Sequence, residues 1–447
     1  MINRYCRSLL FGGAFLVGSA ATVRATDGHL LHGVGAINSA LGGVGVASSP
    51  SIIGAFYVNP AGLANFATTR FELGFEMFKP NRTISSSAGP ASGSTTSSSQ
   101  FVPIPSFGWS RPMHDGNVVI GVAGIGAGGF GVDYHLDATN PILAPRPYGF
   151  GQVFSNFQLM KIIPAVALKA SPSFRLGLAI NADWASLSVD PMPTAAPAVD
   201  PGPDGIPNTA DDRAYYSRAT DASGSFGIGF QAGLQYDVIR DLASVGLSYV
   251  STQRFHKFEF GGVFENPNLP NFNTARTIKF AMDAPAIYGA GIAIRPSERL
   301  FWGFDAKYLA YGHTRGFEES GFAADGSVRG FGWQSIWTLG TGLEFQPTAH
   351  FVARVGYNHS GNPIPNAMTM FNAPAPAVVQ HHATAGFGYK FTGGFGLDVA
   401  YYRAFENSIT GPMQSPAGAM PGTLVKSSLS ENSILMGFSF APGRPNK

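Results

Sequence analysis

Oxygen-bearing side chains are closely spaced in one stretch of the sequence, where they could hold a metal ion. Several nearby oxygen ligands combined with a glycine turn suit Ca²⁺. The five residues are Asp200, Asp204, Asn208, Asp211 and Asp212. Asp, Gly and Pro are also ordinary loop formers, so a calcium site and a plain loop are both left open. Calcium is the only cofactor that the sequence suggests.

The sequence offers little else for metal binding or catalysis. His381 and His382 are adjacent, but neighbouring residues of a strand point to opposite faces, so they are not expected to share one ion. A hydrolase would need a Ser or Asp nucleophile with an oriented His on the same face, and no histidine in the predicted strands has an evident partner. The single cysteine, Cys6, lies in a predicted signal segment, which excludes thiol chemistry and disulfides in the mature chain. We expect no enzyme.

Two cations, Lys307 and Arg354, could bind a ligand carboxylate, because a charged donor in a low-dielectric pocket binds an anion well. Alternation along the predicted strands turns both toward the interior of a barrel. The alternative, favoured for any single residue, is a network of opposite charges that braces the wall. The interior-facing charged residues on this pattern are Arg175, Asp183, Arg295, Lys307, Glu344, Arg354 and Asp398.

The composition indicates what kind of element positions these residues. Residues 1–25 resemble a secretory signal, with basic residues, an apolar run and small residues in that order. No later stretch approaches the roughly 20 consecutive apolar residues of a membrane-spanning helix. Charged residues make up 13% of the chain, against ~25% in an average soluble domain, while Gly (57) and Phe (36) are abundant. This balance fits a lipid-facing β-barrel.

Net charge limits the partners. Three of the 29 basic residues lie in the predicted signal, so 26 remain against 27 acidic residues. A nearly neutral mature chain lacks the basic surface that nucleic acid requires. The expected partners are a hydrophobic small-molecule ligand and the lipid and lipopolysaccharide around the barrel, with the protein acting as a monomer.

Strict alternation of apolar and polar residues recurs along the chain, for example over 175–184, 300–308 and 434–440. In a membrane barrel one strand face meets lipid and the other the lumen, and aromatic residues at the strand ends suit interfacial girdles. Fourteen such segments are predicted: 70–80, 100–111, 117–130, 155–169, 174–189, 222–237, 241–260, 275–295, 299–315, 328–346, 349–359, 379–391, 394–405 and 426–440.

The connections alternate in length, short after even strands and long after odd strands, the latter including the Ser-rich 84–100 and the Pro/Asp-rich 190–221. This asymmetry is typical of barrels in the outer membrane of Gram-negative bacteria. We therefore predict an all-β fold, a transmembrane antiparallel β-barrel of about 14 strands over residues 70–447. Residues 26–69 precede it.

The segment 26–69 is predicted to be a plug, or hatch, inside the barrel. It is rich in Gly and Ala, and Asn59, Pro60, Ala61 and Gly62 interrupt any regular backbone. Irregular chain at membrane depth is tolerated only where protein surrounds it. These four residues are assigned to the hatch. Four apolar residues could line a ligand pocket or only pack the plug: Phe56, Tyr57, Leu63 and Phe66.

The third strand is unusually rich in glycine, which marks kinks and bulges. Gly124, Gly126 and Gly129 have the spacing of a dinucleotide-binding motif, but no helix follows to hold a pyrophosphate. One interpretation is a lateral gap in the wall at Gly124, Gly126, Gly128 and Gly129. The other is that these glycines only let the plug pack closely.

Three stretches resemble the FadL/TodX family of outer-membrane transporters for long-chain fatty acids and other hydrophobic compounds. They are residues 40–47 with the Asn-Pro-Ala-Gly-Leu-Ala string at 59–64, residues 284–300, and residues 352–358. The resemblance implies passive uptake, in which a ligand enters among the outer loops, reaches a lumen pocket and leaves sideways at the third strand when the hatch shifts. One departure is Ser48-Ser49-Pro50-Ser51, where the family often has an acidic residue that anchors the hatch.

Two other interpretations stay open from the sequence. A structural or adhesive barrel would bind surfaces through its long loops, and a general porin would pass polar solutes. Neither needs about 40 residues of irregular apolar chain before the first strand, so both are disfavoured. The sequence does not distinguish a fatty acid from an alkane or an aromatic hydrocarbon as the ligand.

Overall fold

The computed structural model describes residues 27–99, 101–206 and 212–442. The predicted signal segment lies outside the described residues. Within the described ranges, no helix combines the length and the apolar character that crossing a membrane requires.

A closed wall of antiparallel strands dominates the fold. The largest sheet has 16 strands, two of which, Ala91–Thr96 and Arg254–Phe255, are short additions, so 14 strands form the wall. The wall strands are β1 Arg70–Ala88, β2 Val102–Met113, β3 Val118–Tyr134, β4 Val153–Lys169, β5 Phe174–Asp190, β6 Ala219–Ile239, β7 Ala243–Val250, β8 Ile287–Ser297, β9 Leu300–Leu309, β10 Ile336–Phe345, β11 Phe351–Ser360, β12 His381–Lys390, β13 Phe395–Gly411 and β14 Thr423–Phe440. Each strand pairs with its sequence neighbours, and β1 pairs with β14 to close the barrel.

Period-two alternation accounts for these strands, as the sequence predicts. On β5, Leu178 and Ile180 are exposed on the outer face, whereas Asn181 and Asp183 are buried on the inner face. Aromatic side chains on the outer face form a continuous row near the external end of the wall. Ring centroids lie 5.1 Å apart for Tyr249 and Tyr288 and 5.2 Å apart for Tyr308 and Trp337. The predicted aromatic girdle is therefore present on β7–β10.

Short helices lie before β1 and in the loops. The first two are α1 Gly35–Ala40 and α2 Ile52–Val58. The 3₁₀ helices are Pro60–Asn65, His114–Gly116, Pro141–Leu143, Tyr311–His313, Asn366–Met368 and Met370–Asn372. Helix α1 contacts β1, β11, β12, β13 and β14, and Pro60–Asn65 contacts β4, β5 and β6. The segment before β1 therefore touches wall strands on opposite sides of the barrel, which places it in the lumen, where we call residues 27–69 the plug.

Several predicted boundaries were wrong. The predicted Ser-rich loop 84–100 instead contains the external end of β1, which pairs with Ala91–Thr96. The predicted strands 241–260 and 275–295 leave the wall pattern partway, and Phe258–Val263 pairs with Ala275–Phe280 in a separate small sheet. A local reason is Asp283, which accepts hydrogen bonds from Phe255 N–H (2.9 Å) and the Arg315 guanidinium (2.6 Å). The remaining short strands are Ala198–Asp200, Arg213–Tyr215, Gln414–Ser415 and Gly418–Ala419.

Candidate functional site: the plug and the third strand

A wall carboxylate holds the start of α2. Glu72 on β1 accepts hydrogen bonds from Ser51 Oγ (2.6 Å), Ile52 N–H (3.0 Å) and Ile53 N–H (3.2 Å). Ser51 Oγ also accepts from Gly54 N–H (3.2 Å) as the N-cap. These bonds satisfy N–H groups that a helix start leaves without a partner. Residues 48–51 of the plug contain no acidic residue, and the carboxylate at this position is instead supplied by Glu72 of the wall.

The Asn-Pro element of the plug contacts the opposite part of the wall. Asn59 is fully buried and donates to the carbonyls of Val46 (2.7 Å), Leu234 (3.2 Å) and Leu247 (3.2 Å). Its Oδ1 accepts from Ala61 N–H at 3.0 Å. One side chain therefore joins two parts of the plug to β6 and β7.

The residues after Asn59 approach the wall closely. Pro60 opens a 3₁₀ helix, in which Ala61 and Gly62 are buried. A Cβ placed on Gly177 of β5 would lie 2.2 Å from the Ala61 nitrogen. The small residues predicted as the hatch thus lie against a glycine of the wall. Movement of these hatch residues during transport stays a prediction.

Interior charges mostly bind the plug or one another. Asp305 accepts hydrogen bonds from the N–H groups of Gly45 (2.7 Å) and Val46 (3.0 Å). Lys307 Nζ donates to the Gly43 carbonyl at 3.1 Å. Arg354 pairs with Glu344 (2.6 Å) and Asp398 (2.7 Å). The contacts of Arg354 are those of the wall-bracing alternative, so a ligand would have to compete with two carboxylates for it.

The third strand separates from the second at Gly126, Gly128 and Gly129, whereas Gly124 still pairs with Phe107 of β2. The β2–β3 ladder ends at the pair Ser106 and Ile125, although β2 continues to pair with β1 as far as Val102. On its other side β3 has a β-bulge between Gly126 and Gly128. The edge of β3 beyond Ile125 therefore lacks its wall neighbour.

The start of the plug occupies that free edge. Leu30 forms an antiparallel bridge with Gly128. Leu31 N–H donates to the Ala127 carbonyl at 3.0 Å, and Gly129 N–H donates to the His29 carbonyl at 2.8 Å. The plug therefore packs closely against β3 at the point where the β2–β3 ladder stops, and both interpretations of the glycine-rich strand stay predictions. Passage of a ligand at this point stays a prediction as well.

An aromatic cluster surrounds the imidazole of His29. Its ring stacks on Phe317 at 4.9 Å, and the rings of Tyr311, Phe157 and Trp333 lie 5.4, 5.7 and 6.1 Å away. Neither ring nitrogen of His29 has a hydrogen-bond partner among the described residues. Burial lowers the pKa of His29 to about 3, with a smaller contribution from Lys161. The cluster is therefore buried, mainly aromatic and uncharged. The hydroxyl of Tyr311 and the N–H of Trp333 have hydrogen-bond partners, so His29 carries its unpartnered polar atoms.

Sequence reasoning missed this cluster. Tyr311 was placed within the predicted strand 299–315 and Trp333 within 328–346, but β9 ends at Leu309 and β10 begins at Ile336. The intervening chain instead turns its aromatic residues toward the plug. Their density, with Phe317 and Phe331 nearby, was the signal that could have indicated an interior role.

A cavity of about 30 Å³ lies between the plug and β7–β9, and its lining includes Asp27, Tyr57, Ser248 and Lys307. This volume has room for about one to three water molecules, so a larger ligand requires the plug to shift. Of the predicted pocket residues, Tyr57 lines this cavity. The other three, Phe56, Leu63 and Phe66, are buried in the core.

The calcium residues are only partly described. Asp200 accepts hydrogen bonds from Asn268 Nδ2 (2.6 Å) and Gly202 N–H (3.2 Å), and Asp204 accepts from Ile206 N–H (2.8 Å). Asn208 and Asp211 lie outside the described residues, whereas Asp212 is described as a partly buried residue. Across the described ranges, no group of three or more His, Cys, Asp or Glu side chains could hold a metal ion. Calcium binding stays a prediction.

Comparison with known proteins identifies similar chains. The family model described as "Outer membrane protein transport protein (OMPP1/FadL/TodX)" matches residues 20–441. The Pseudomonas putida toluene transporter TodX has a TM-score of 0.70 and 16% identity, covering 93% of this chain and 100% of that one. A Pseudomonas aeruginosa FadL homologue gives 0.71 and 16%, with 93% and 99% covered. The Ralstonia pickettii toluene transporter TbuX gives 0.65 and 16%, with 92% and 99% covered. Comparison with curated proteins gave no match.

Proposed function

Because the chain belongs to the outer-membrane transport protein family OMPP1/FadL/TodX, we propose that it takes up hydrophobic molecules passively through a plugged barrel with a lateral exit at β3. The protein lies in the outer membrane of Gram-negative bacteria and is a transporter of hydrophobic compounds by family. The observation that supports a lateral exit is the edge of β3 beyond Ile125, which has no wall strand beside it in the described part of the chain. Leu30 of the plug pairs with this edge at Gly128.

The proposed path follows apolar surface. A ligand enters among the external loops, contacts the aromatic cluster around His29 and displaces residues 29–31 from β3. It then leaves between the external end of β2 and Gly126–Tyr134 into the bilayer. Transfer from water to an apolar pocket lowers the free energy of a hydrophobic molecule, whereas a water-filled pore offers it little stabilisation. No energy source is needed for such transfer down a gradient.

The plug's contacts favour displacement of its start over release of the whole segment. Residues 29–31 are held to β3 by two backbone hydrogen bonds, and the Tyr311 hydroxyl accepts from His29 N–H and donates to the Asp27 carbonyl. By contrast, α2 is held by three hydrogen bonds to Glu72, and Asn59 donates to carbonyls of the plug and of two wall strands. The start of the plug is therefore the element we expect to move.

The aromatic cluster favours an uncharged ligand. His29 carries its unpartnered polar atoms, and the nearby cation Lys161 already pairs with Asp183 at 3.2 Å. A fatty acid would need a cation free to bind its carboxylate. Two of the similar structures are described as toluene transporters, and transfer of that substrate class to this chain is part of the proposal.

Uptake in a Gram-negative host that lacks its own hydrophobic transporters tests this function. We expect cells that express the protein to take up labelled toluene faster than vector controls, with a smaller effect for labelled oleate and none for a polar disaccharide. Disaccharide influx would support a general porin. Uptake equal to that of the vector control for both hydrophobic compounds would support the adhesive alternative.

A further inference from the structure

The outward face of four neighbouring strands changes its chemistry along the barrel axis. The strands are β13, β14, β1 and Ala91–Thr96, which pair side by side in this order. We call their outward face the outer strip. It has an apolar level within the bilayer, a basic level above it and a hydroxyl-rich level beyond.

The apolar level ends at an interfacial tyrosine. Phe75 and Met436 pair across β1 and β14 and are about half exposed. One step further out, Ile434 pairs with Tyr401 of β13. The Tyr401 hydroxyl donates to Asn432 Oδ1 at 2.8 Å. A tyrosine with an apolar ring below and a bonded hydroxyl above marks the level of the lipid headgroups.

Two cations lie directly above this tyrosine. Lys79 and Arg403 are the two register partners of Asn432, one on each side. Directly opposed Cβ atoms are about 5 Å apart, so the Cβ atoms of Lys79 and Arg403 flank that of Asn432 and lie within about 10 Å of each other. Lys79 Nζ lies 5.3 Å from the ring centroid of Phe101. In the part of the chain that the structure describes, no carboxylate forms an ion pair with either cation.

Hydroxyl groups cover the next level. Thr83 Oγ1 lies 3.3 Å from Thr96 Oγ1, and Ser85 Oγ donates to Ser94 Oγ at 2.8 Å. Across the other edge of β1, the register continues onto β14 and β13. The outward residues at this level are Ser92, Ser94, Thr96, Thr83, Ser85, Ser87, Lys426, Ser428, Ser408 and Thr410, with Leu424, the register partner of Ser87, as an exposed apolar exception. Each hydroxyl can both donate and accept a hydrogen bond, and a sheet fixes them in a regular array.

The charge of the outer strip is positive, unlike that of the chain as a whole. Its outward charged residues are the exposed Lys79 and Lys426 and the partly buried Arg403, against the exposed Glu406, which lies in the β13 bulge. Cations at headgroup height, with hydroxyls above them, match a ligand that carries phosphates near the membrane and sugars further out. Arg and Lys bind phosphate oxygens through charge-assisted hydrogen bonds.

The opposite side of the barrel lacks this order. On β6, Phe230 lies in the aromatic row, 5.6 Å from Tyr249. Further out on the same face, Ile228 and Phe226 are 66% and 70% exposed. Apolar residues there continue beyond the aromatic row beside the exposed Arg254, which pairs with Ile228. Two large apolar side chains, Phe405 and Leu424, are also exposed on the outer strip beyond its basic level, so the ordered succession of a basic and a hydroxyl-rich level is what distinguishes the outer strip from β6.

We propose that the outer strip is a binding site for lipopolysaccharide. Its acyl chains would contact Phe75 and Met436, its lipid A phosphates Lys79 and Arg403, and its inner core sugars the hydroxyl level. The site lies on the outside of the wall and is independent of the lumen path. Binding there would anchor the barrel in the outer leaflet and leave the plug untouched.

Native mass spectrometry of the full-length protein in detergent, titrated with deep-rough lipopolysaccharide, tests the site. The variant Lys79→Gln with Arg403→Gln removes both cations at headgroup height. Its matched control, Arg254→Gln with Lys257→Gln, removes two exposed basic residues from the opposite side. Heat-modifiable gel mobility reports folding of each variant, and all substituted side chains lie outside the core.

We expect the strip variant to bind lipopolysaccharide about tenfold more weakly than wild type, as loss of roughly one charge-assisted bond implies, and the control variant to bind as wild type does. Enzymatically dephosphorylated lipopolysaccharide should bind wild type as weakly as the strip variant binds the intact lipid. Equal binding by the strip and control variants would overturn the proposal, as would wild-type affinity for phosphatidylethanolamine equal to that for lipopolysaccharide.

The hydroxyl level has its own variant, Ser85→Val with Ser94→Val, which favours the strand and removes one hydroxyl pair. We expect weaker binding of lipopolysaccharide with core sugars and unchanged binding of lipid A alone. An equal loss for both ligands, or no loss for either, would contradict the assignment of this level to sugars.

Discussion

Gly128 of the wall lies directly against the backbone of His29 in the plug. A Cβ on Gly128 would lie 2.1 Å from the His29 carbonyl oxygen and 3.0 Å from Leu30 Cα. The same backbones are joined by the hydrogen bond from Gly129 N–H to that carbonyl. The seal between plug and third strand therefore depends on the absence of a side chain at position 128.

Gly128→Ala should accordingly loosen the plug, because a methyl group cannot fit at that distance without moving the His29 backbone. We expect proteoliposomes with this variant to swell faster than wild type in small polar sugars. Gly261→Ala is the control, since a Cβ there has no neighbour within 4 Å. A Gly128→Ala barrel as tight as wild type would show that the contact with His29 does not seal the lumen.

Asn59→Ala should destabilise the plugged barrel. The change removes the two N–H donors that serve the carbonyls of Val46, Leu234 and Leu247 and the oxygen that accepts from Ala61 N–H, although Val46 O keeps Gln235 Nε2 as a donor. At about 1 kcal/mol for each donor or acceptor lost, about 3 kcal/mol in total is expected. Loss of the compact, heat-modifiable form on a temperature series measures it. The control Asn65→Ala removes one bond, to Gln235, from an exposed residue. Equal midpoints for the two variants would refute a tethering role for Asn59.

Acidification should weaken docking of the plug's start. Burial lowers the pKa of His29 to about 3 and that of His32 to about 4, in both cases from 6.5. The stability these neutral rings contribute is present above pH 6.5 and is lost as pH falls toward those values. Burial raises the pKa of Asp27 from 3.8 to about 6, opposed by Lys307. That contribution is present below pH 3.8 and is lost as pH rises through 6.

The two histidines outweigh the one aspartate, so the net effect between pH 7 and 4.5 is weaker docking at the lower pH. Hydrogen exchange of the peptide that spans residues 27–34 should be faster at pH 4.5 than at pH 7, after correction for the intrinsic rate. His29→Gln with His32→Gln should reduce this dependence, whereas the exposed His350→Gln should not. Slower corrected exchange at pH 4.5 in wild type would mean that Asp27 dominates.

Much of the wall could be predicted because its cause is local. Apolar and polar residues alternate in the sequence of each strand, and this alternation predicts that Asp183, Lys307 and Arg354 point inward. Pro60 and its neighbours likewise show from sequence alone that the plug cannot be a wall strand. These features depend on residues a few positions apart, so periodicity detects them.

The contacts that define the candidate site have no local signal. His29 meets Gly128 and Phe317, and Glu72 meets Ser51, across stretches that carry no shared motif. The predicted strand boundaries were wrong for a related reason. Tyr311 and Trp333 have strand-like sequence neighbours, but they pack against the plug and lie outside the wall strands. Such choices are made by tertiary packing and overrule local preference.

If hydrophobic molecules pass only when the plug's start leaves β3, a covalent link between the two should stop transport. Leu31 and Ala127 lie opposite each other across that contact, within reach of a disulfide. In a Cys6→Ser background, Leu31→Cys with Ala127→Cys would lock the plug to the wall. Val355→Cys with Ala385→Cys, which pair on neighbouring wall strands, is the control that leaves the plug free.

Uptake of labelled toluene by cells that express each pair, before and after reduction, is the deciding measurement. We predict that the oxidised Leu31→Cys/Ala127→Cys protein transports at the vector background and recovers on reduction, while the control pair transports equally in both states. Transport at the wild-type rate by the fully oxidised plug-to-wall pair would show that molecules pass without release of the plug's start.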